Sequence, residues 1–151
     1  MSAKILANLR FFLVIGLFNI TTASIWGADN GIMEKVDAMI QKIEGQKSPE
    51  RTDFALQLSD YIKQQNTANI SKDVVARIAS LLKDRDDSVR YWAAMALGYI
   101  GPKANSAVPQ LLTALKEIEK EKEERKGNTG KSSADAIQLA LQRIQHPTGN
   151  Q

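Results

Sequence analysis

The stretch Leu81-Leu82-Lys83-Asp84-Arg85-Asp86-Asp87-Ser88-Val89-Arg90-Tyr91-Trp92-Ala93-Ala94-Met95-Ala96-Leu97-Gly98-Tyr99-Ile100-Gly101-Pro102 decides the fold. Leu81 and Leu82 end an apolar run, and four charged residues, Asp84 to Asp87, then form a tight turn. From about Ser88 the apolar positions Val89, Ala93, Ala96, Leu97 and Ile100 recur at i, i+4, i+7, i+8 and i+11, which is one face of a helix. Gly101-Pro102 is a strong helix stop: glycine accepts the backbone reversal and proline cannot continue the ladder. Ala94 and Gly98 stand four apart and small, so a neighbouring helix has room to approach closely.

The same period holds on both sides. Upstream, Val74, Val75, Ile78, Leu81 and Leu82 mark a helix that Ser71 is suited to cap. Before it lie two more amphipathic stretches: Ile32, Val36, Met39, Ile40 and Ile43, closed by Gly45, then Phe54, Ala55, Leu58, Tyr61 and Ile62, opened by Pro49. Downstream, a fifth helix begins near Asn105, carries Pro109 in its first turns where a missing amide costs little, and runs through Leu111, Leu112, Leu115 and Ile118. A sixth spans about Ser132 to Gln145, and His146-Pro147 ends it. No segment alternates with period two, so strands are not expected.

Paired helices imply an internal repeat. Val75 to Asp84 aligns with Val108 to Glu117 at an offset of 33, and Ala96-Leu97-x-x-Ile100 aligns with Ala140-Leu141-x-x-Ile144 at an offset of 44. The difference places about eleven extra residues between the fifth and sixth helices, within a charged insertion at 117–131. Val36 to Ile43 followed by Phe54 to Ile62 forms a fainter first pair. A hairpin of this kind cannot bury its apolar face alone, so about three stacked hairpins are needed for stability.

These residues carry a family resemblance. The run Leu81 to Arg90, followed by Ala93-Ala94-x-Ala96-Leu97-Gly98-x-Ile100-Gly101, resembles a HEAT repeat of the short bacterial type, and Ala107-Val108-Pro109-Gln110-Leu111-Leu112 resembles the start of the next. The match is close over about 72–117. It implies an all-α superhelix, a HEAT-like solenoid, with its best repeat at 72–101 and the following one at 104–145. It also implies that Asp84 and Arg90 form a structural pair bonding across the turn and between repeats, and that the second helix of each pair lines a concave face. The sixth helix departs from the pattern by placing Ala134 where arginine is expected, and the second helix lacks the glycine signature. Terminal repeats are commonly atypical because they cap the stack.

The N-terminus reads differently from the rest. Lys4 and Arg10 are the only charges before Asp29, and Phe11-Phe12-Leu13-Val14-Ile15-Gly16-Leu17-Phe18 follows them. A basic head, an apolar core and small residues at Thr21-Thr22-Ala23-Ser24 or Ala28 form the pattern of a secretory signal peptide over residues 1–28. The apolar core is short for a membrane span, yet an uncleaved anchor through residues 5–25 is the alternative. Either way the expectation is export, to a periplasm or the medium, leaving residues 29–151 as one helical domain.

Export reinterprets the charge. All 151 residues together have 20 basic and 17 acidic groups, a net charge of +3; without residues 1–28 there are 18 and 17, a charge of +1. The run Lys116 to Lys126 holds five basic and five acidic groups, so it is a solvated helix face and no polybasic strip. Nucleic acid is therefore not an expected partner, because the phosphate-contact term is missing. With no cysteine and a single histidine, disulfides, thiolate metal sites, cysteine nucleophiles and histidine-paired catalysis are excluded.

The remaining motifs point away from cofactors. Gly127-Asn128-Thr129-Gly130-Lys131-Ser132 resembles the end of a phosphate-binding loop, but Arg125 stands where the first glycine is required and no strand precedes it. Asp84, Asp86 and Asp87 lack the glycine and the distant glutamate of a calcium loop, which leaves turn and capping roles. No cofactor, metal or catalytic residue is expected, and an enzyme of HEAT-like lyase type is the least supported reading.

The candidate surface is on the fourth helix. Tyr91, Trp92, Met95 and Tyr99 lie largely off its core face, with Arg90 beside them. Aromatic and methionine anchors near an arginine suit a protein-binding patch; the same side chains also suit packing against the second and sixth helices. The expected function is a non-catalytic interaction or scaffold module with a protein partner. A membrane-tethered structural subunit is the alternative, if residues 5–25 stay attached.

Overall fold

A computed structural model describes residues 23–125 and 132–146. The elements are α1 (Ala23–Gly45), α2 (Glu50–Lys63), α3 (Lys72–Ser80), α4 (Asp87–Ile100), α5 (Val108–Arg125) and α6 (Ser133–Gln145), with short 3₁₀ turns at Thr67–Asn69, Leu81–Lys83 and Gly101–Ala107. The described residues contain no strand, and no helix among them is long and apolar enough to cross a membrane. The basic and apolar N-terminal segment through residue 22, the glycine-bearing loop 127–131 and Pro147 lie outside the described residues.

The helices form three consecutive hairpins, α1/α2, α3/α4 and α5/α6. α4 packs against both α2 and α6, so the second helices make one continuous inner layer with α4 at its centre. α1 packs on α2 and α3, and α5 packs on α6 and on the 3₁₀ turns that flank α4. The result is an all-α stack of repeats in which each hairpin covers the apolar face of the next.

Local chemistry explains the boundaries. Ser71 caps α3 by accepting from the Val74 N–H at 3.3 Å, and Asp86 caps α4 by accepting from the Ser88 N–H at 3.0 Å. α6 opens with a capping box: the Ser132 hydroxyl accepts from the third helical residue, and the Asp135 carboxylate accepts from the Ser132 N–H at 3.0 Å. Gly101 ends α4 at φ +67, a conformation that a β-carbon would strain. The fifth helix begins at Val108, later than its composition suggests, because Gly101 to Ala107 winds as 3₁₀ turns. Pro102 donates no amide, and Pro109 sits second in α5, where none is needed.

The core is aliphatic. Val36, Ile40 and Ile43 of α1, Leu58 and Ile62 of α2, Val74 and Ile78 of α3, Val89, Leu97 and Ile100 of α4, Leu111 of α5 and Ile137 of α6 are fully or almost fully buried. The aromatic residues Phe54, Tyr61, Tyr91, Trp92 and Tyr99 are only partly buried against this core. Alanine closes the helix–helix seams, and at Gly98 the seam is at its tightest: a β-carbon there would lie 3.2 Å from Ala140 Cα. Of the small pair Ala94 and Gly98, Gly98 is where α4 and α6 meet.

Candidate functional site

On α4 the buried residues Val89, Ala93, Ala94, Ala96, Leu97, Gly98 and Ile100 occupy more than half of the helix circumference. The remaining arc carries Ser88, Tyr91, Trp92, Met95 and Tyr99, each half-buried. The four large side chains also touch the core. Both readings of this stripe thus have a physical basis, since its inner edges pack while its outer surface stays accessible. Tyr91 and Trp92 meet edge to face, with ring centroids 4.9 Å apart and planes at 87°, an arrangement favoured by the aromatic quadrupole.

The flanking helices extend the surface. Thr52, Leu56 and Lys63 share one stripe of α2 at i, i+4 and i+11, and Leu139 and Arg143 share one on α6 at i and i+4. Leu56 and Leu139 are half-buried. Lys63 Nζ lies 5.4 Å from the Tyr99 ring centroid, and the Arg143 guanidinium lies 5.3 Å from it. One aromatic ring therefore holds two cations from two different hairpins, each within cation–π range. Tyr61 and Phe54, on the other side of α2, are instead covered by Lys35 and Lys42 of α1.

Arg90 is placed elsewhere. Its side chain is 12% exposed, and its guanidinium donates to the Asp84 carbonyl from Nη1 at 2.9 Å and to Asp87 Oδ1 from Nη2 at 2.9 Å. Glu121 of α5 lies 3.8 Å from Nη2. Asp84 and Arg90 are in contact, but through the Asp84 backbone oxygen. The Asp84 carboxylate faces Arg51 of the preceding hairpin and accepts the Asp86 N–H at 2.9 Å.

A polar network follows along one edge of the stack. Arg51 and Ser48, from the first hairpin, hold Asp84 and Asp86 in the turn before α4. Asp87 then accepts from the Ser133 hydroxyl and, at 3.2 Å, from the Ser133 N–H, at the start of α6. All three acids of the turn are engaged in linking hairpins. Burial pushes the Asp86 carboxyl up, but the Ser48 hydroxyl bond, the Ser88 N–H, the Arg51 charge and the Val89 N–H outweigh it and hold the group below the ordinary carboxylate value.

The amino-acid pattern alone does not single out Arg51, Lys63, Arg143 or Ser133. Arg51 has one readable signal: it lies in the first turn of the second helix of its pair, as Arg90 does in its own. Lys63 and Arg143 have none, because each is an ordinary basic residue in the last turn of a helix.

The model of the PBS lyase HEAT-like repeat family matches residues 89–117. The protein is a helical repeat protein with a HEAT-like fold. The matched stretch runs from the first turn of α4 through the middle of α5, so it contains the whole aromatic stripe and the tight turn between two hairpins. No curated protein and no solved structure matches the sequence.

Proposed function

We propose that this HEAT-like protein is an exported, non-catalytic module that binds a partner protein on the concave face made by α2, α4 and α6. The observation that carries this reading is the stripe of Tyr91, Trp92, Met95 and Tyr99, anchored on its inner side and open on its outer side, at the centre of the inner helical layer. Rigid aromatic side chains lose little entropy on binding, and aromatic and methionine side chains are enriched at protein interfaces. Export is supported by the basic and apolar pattern of residues 4–18, and cleavage within 21–28 leaves a nearly neutral domain.

Affinity capture from the exported compartment tests the module, with wild type compared against Met95→Asp. Met95 is half-buried, so a charge there disturbs the face more than the core. A partner protein retained by wild type and lost by a folded Met95→Asp variant supports the reading. Recovery of nothing but a small metabolite overturns it. Mass measurement of the mature N-terminus separates a cleaved domain from an anchored subunit held through residues 5–25.

A further inference from the structure

The ends of α2, α4 and α6 place Lys63, Tyr99 and Arg143 together at one end of the concave face. Lys63 and Arg143 both make a cation–π contact with Tyr99, and among the described residues neither forms an ion pair. Lys35 and Lys42 of α1 also lie over rings without an ion pair, whereas the arginines between and within the hairpins behave differently. Arg51, Arg77 and Arg90 all reach carboxylates, and Arg77 does so from a position about one-third exposed. The two cations on Tyr99 are held in place without being neutralised. Each sits in the last turn of its helix, where the partial negative charge of the carbonyl end steadies it.

The floor next to them is apolar apart from the exposed Asp60, which lies between Leu56 and Lys63 on α2. Met95 lies one turn back from Tyr99 on α4, Leu56 two turns back from Lys63 on α2, and Leu139 one turn back from Arg143 on α6. The face thus has a hydrophobic body and a doubly positive end, with both charges within 5.4 Å of one ring centroid. A guanidinium fork and an ammonium that flank the same tyrosine suit a carboxylate, the arginine giving two parallel bonds and the lysine a point charge.

We infer that the occupant of the concave face is a partner-protein segment in which a carboxylate, from Asp, Glu or a free C-terminus, stands beside bulky apolar side chains. The carboxylate binds at the Tyr99 end of the face, against Arg143 and Lys63, and the apolar side chains cover Leu56, Met95 and Leu139. This inference rests on the docking role of the same face and adds the chemistry of the partner.

A random-peptide display library, panned on the full-length protein, tests it. Enriched peptides are expected to combine an acidic residue or free C-terminus with Leu, Ile, Phe or Trp. A synthetic copy of an enriched peptide should lose roughly tenfold or more in affinity on Lys63→Ala/Arg143→Ala, and should weaken with added salt. Lys63→Glu/Arg143→Glu should shift enrichment towards basic peptides. Thermal melting confirms that each variant is folded.

If the peptides carry no acidic bias, or the double alanine variant binds them as wild type does, the carboxylate site is overturned. Loss of binding in Met95→Asp under that same result leaves the docking face standing. Peptides that ignore all three variants, or a library that gives no binder, overturn both. Vesicles with anionic lipid form a parallel arm: preferential binding there, abolished by Lys63→Ala/Arg143→Ala, assigns the two cations to a membrane surface and removes the peptide reading.

Discussion

Arg51 of α2 reaches the carboxylate of Asp84, which lies in the turn of the next hairpin, and among the described residues this pair is the most enclosed ionic contact between repeats. The two side chains are 8% and 13% exposed. Asp84 in turn offers its carbonyl to Arg90, whose own second nitrogen meets Asp87, and Asp87 receives Ser133 of the third hairpin. Three hairpins are thereby fixed in one register along one edge.

Removing one member of such a pair costs more than removing both. Arg51→Met leaves the Asp84 carboxylate enclosed without its cation, and the expected loss is about 3 kcal/mol in chemical denaturation. Adding Asp84→Asn to Arg51→Met should restore part of that loss, because the charge is gone while the side-chain oxygen still accepts the Asp86 N–H. Equal or greater instability of the double variant would mean that the pair contributes net attraction beyond its desolvation cost.

Acid should weaken the same edge. Asp86 has its folded carboxyl held below the ordinary value, so the folded state favours the ionised form. The stabilisation is fully present above the unfolded carboxylate pKa and is lost as pH falls through the folded one. Denaturant midpoints measured across the acidic range should fall less steeply in Asp86→Asn than in wild type. Ser48→Ala, which removes one of the bonds to Asp86, should give an intermediate slope.

Much of this architecture is legible before any coordinates, and the reason is local. Helix periodicity, the Ser71 cap and the Gly101 stop depend on residues within a few positions of one another. A close helix approach on α4 is also visible, since Ala94 and Gly98 are small and four apart, but that the neighbour is α6, through Ala140, comes from the structure. What stays hidden depends on register between hairpins. Arg51 and Asp84 are 33 residues apart, and Lys63 and Arg143 are 80 apart. Nothing in the sequence spacing says that α2 and α6 end against the same tyrosine. Asp84 and Arg90 are readable as a pair, while the choice of carbonyl over carboxylate follows from Arg51 taking the carboxylate.

The α4–α6 seam has its own test. A β-carbon at Gly98 would meet Ala140 Cα at 3.2 Å and Ala140 Cβ at 3.4 Å. In an open helix interior, glycine to alanine gains up to about 1 kcal/mol. Here the backbone of α6 has to give way, so Gly98→Ala should show none of that gain. Gly98→Leu should destabilise by about 1–3 kcal/mol or more through overpacking. A thermal melt of Gly98→Leu equal to wild type would show that α6 is not seated on α4 in solution.

The Tyr99 clamp can be separated from simple packing by a double-mutant cycle. Tyr99→Leu keeps an apolar side chain on the stripe but removes the ring that Lys63 and Arg143 approach. At about 0.5–1 kcal/mol for each exposed cation–π contact, the substitution should cost roughly 1–2 kcal/mol. In a Lys63→Met/Arg143→Met background the same substitution should cost little, since the methionine stems retain the packing without the charge. The difference between the two costs is the coupling energy of the clamp. A coupling near zero would mean that the cations lie over Tyr99 without being drawn to it. A clear coupling that survives high salt would place them firmly on the ring.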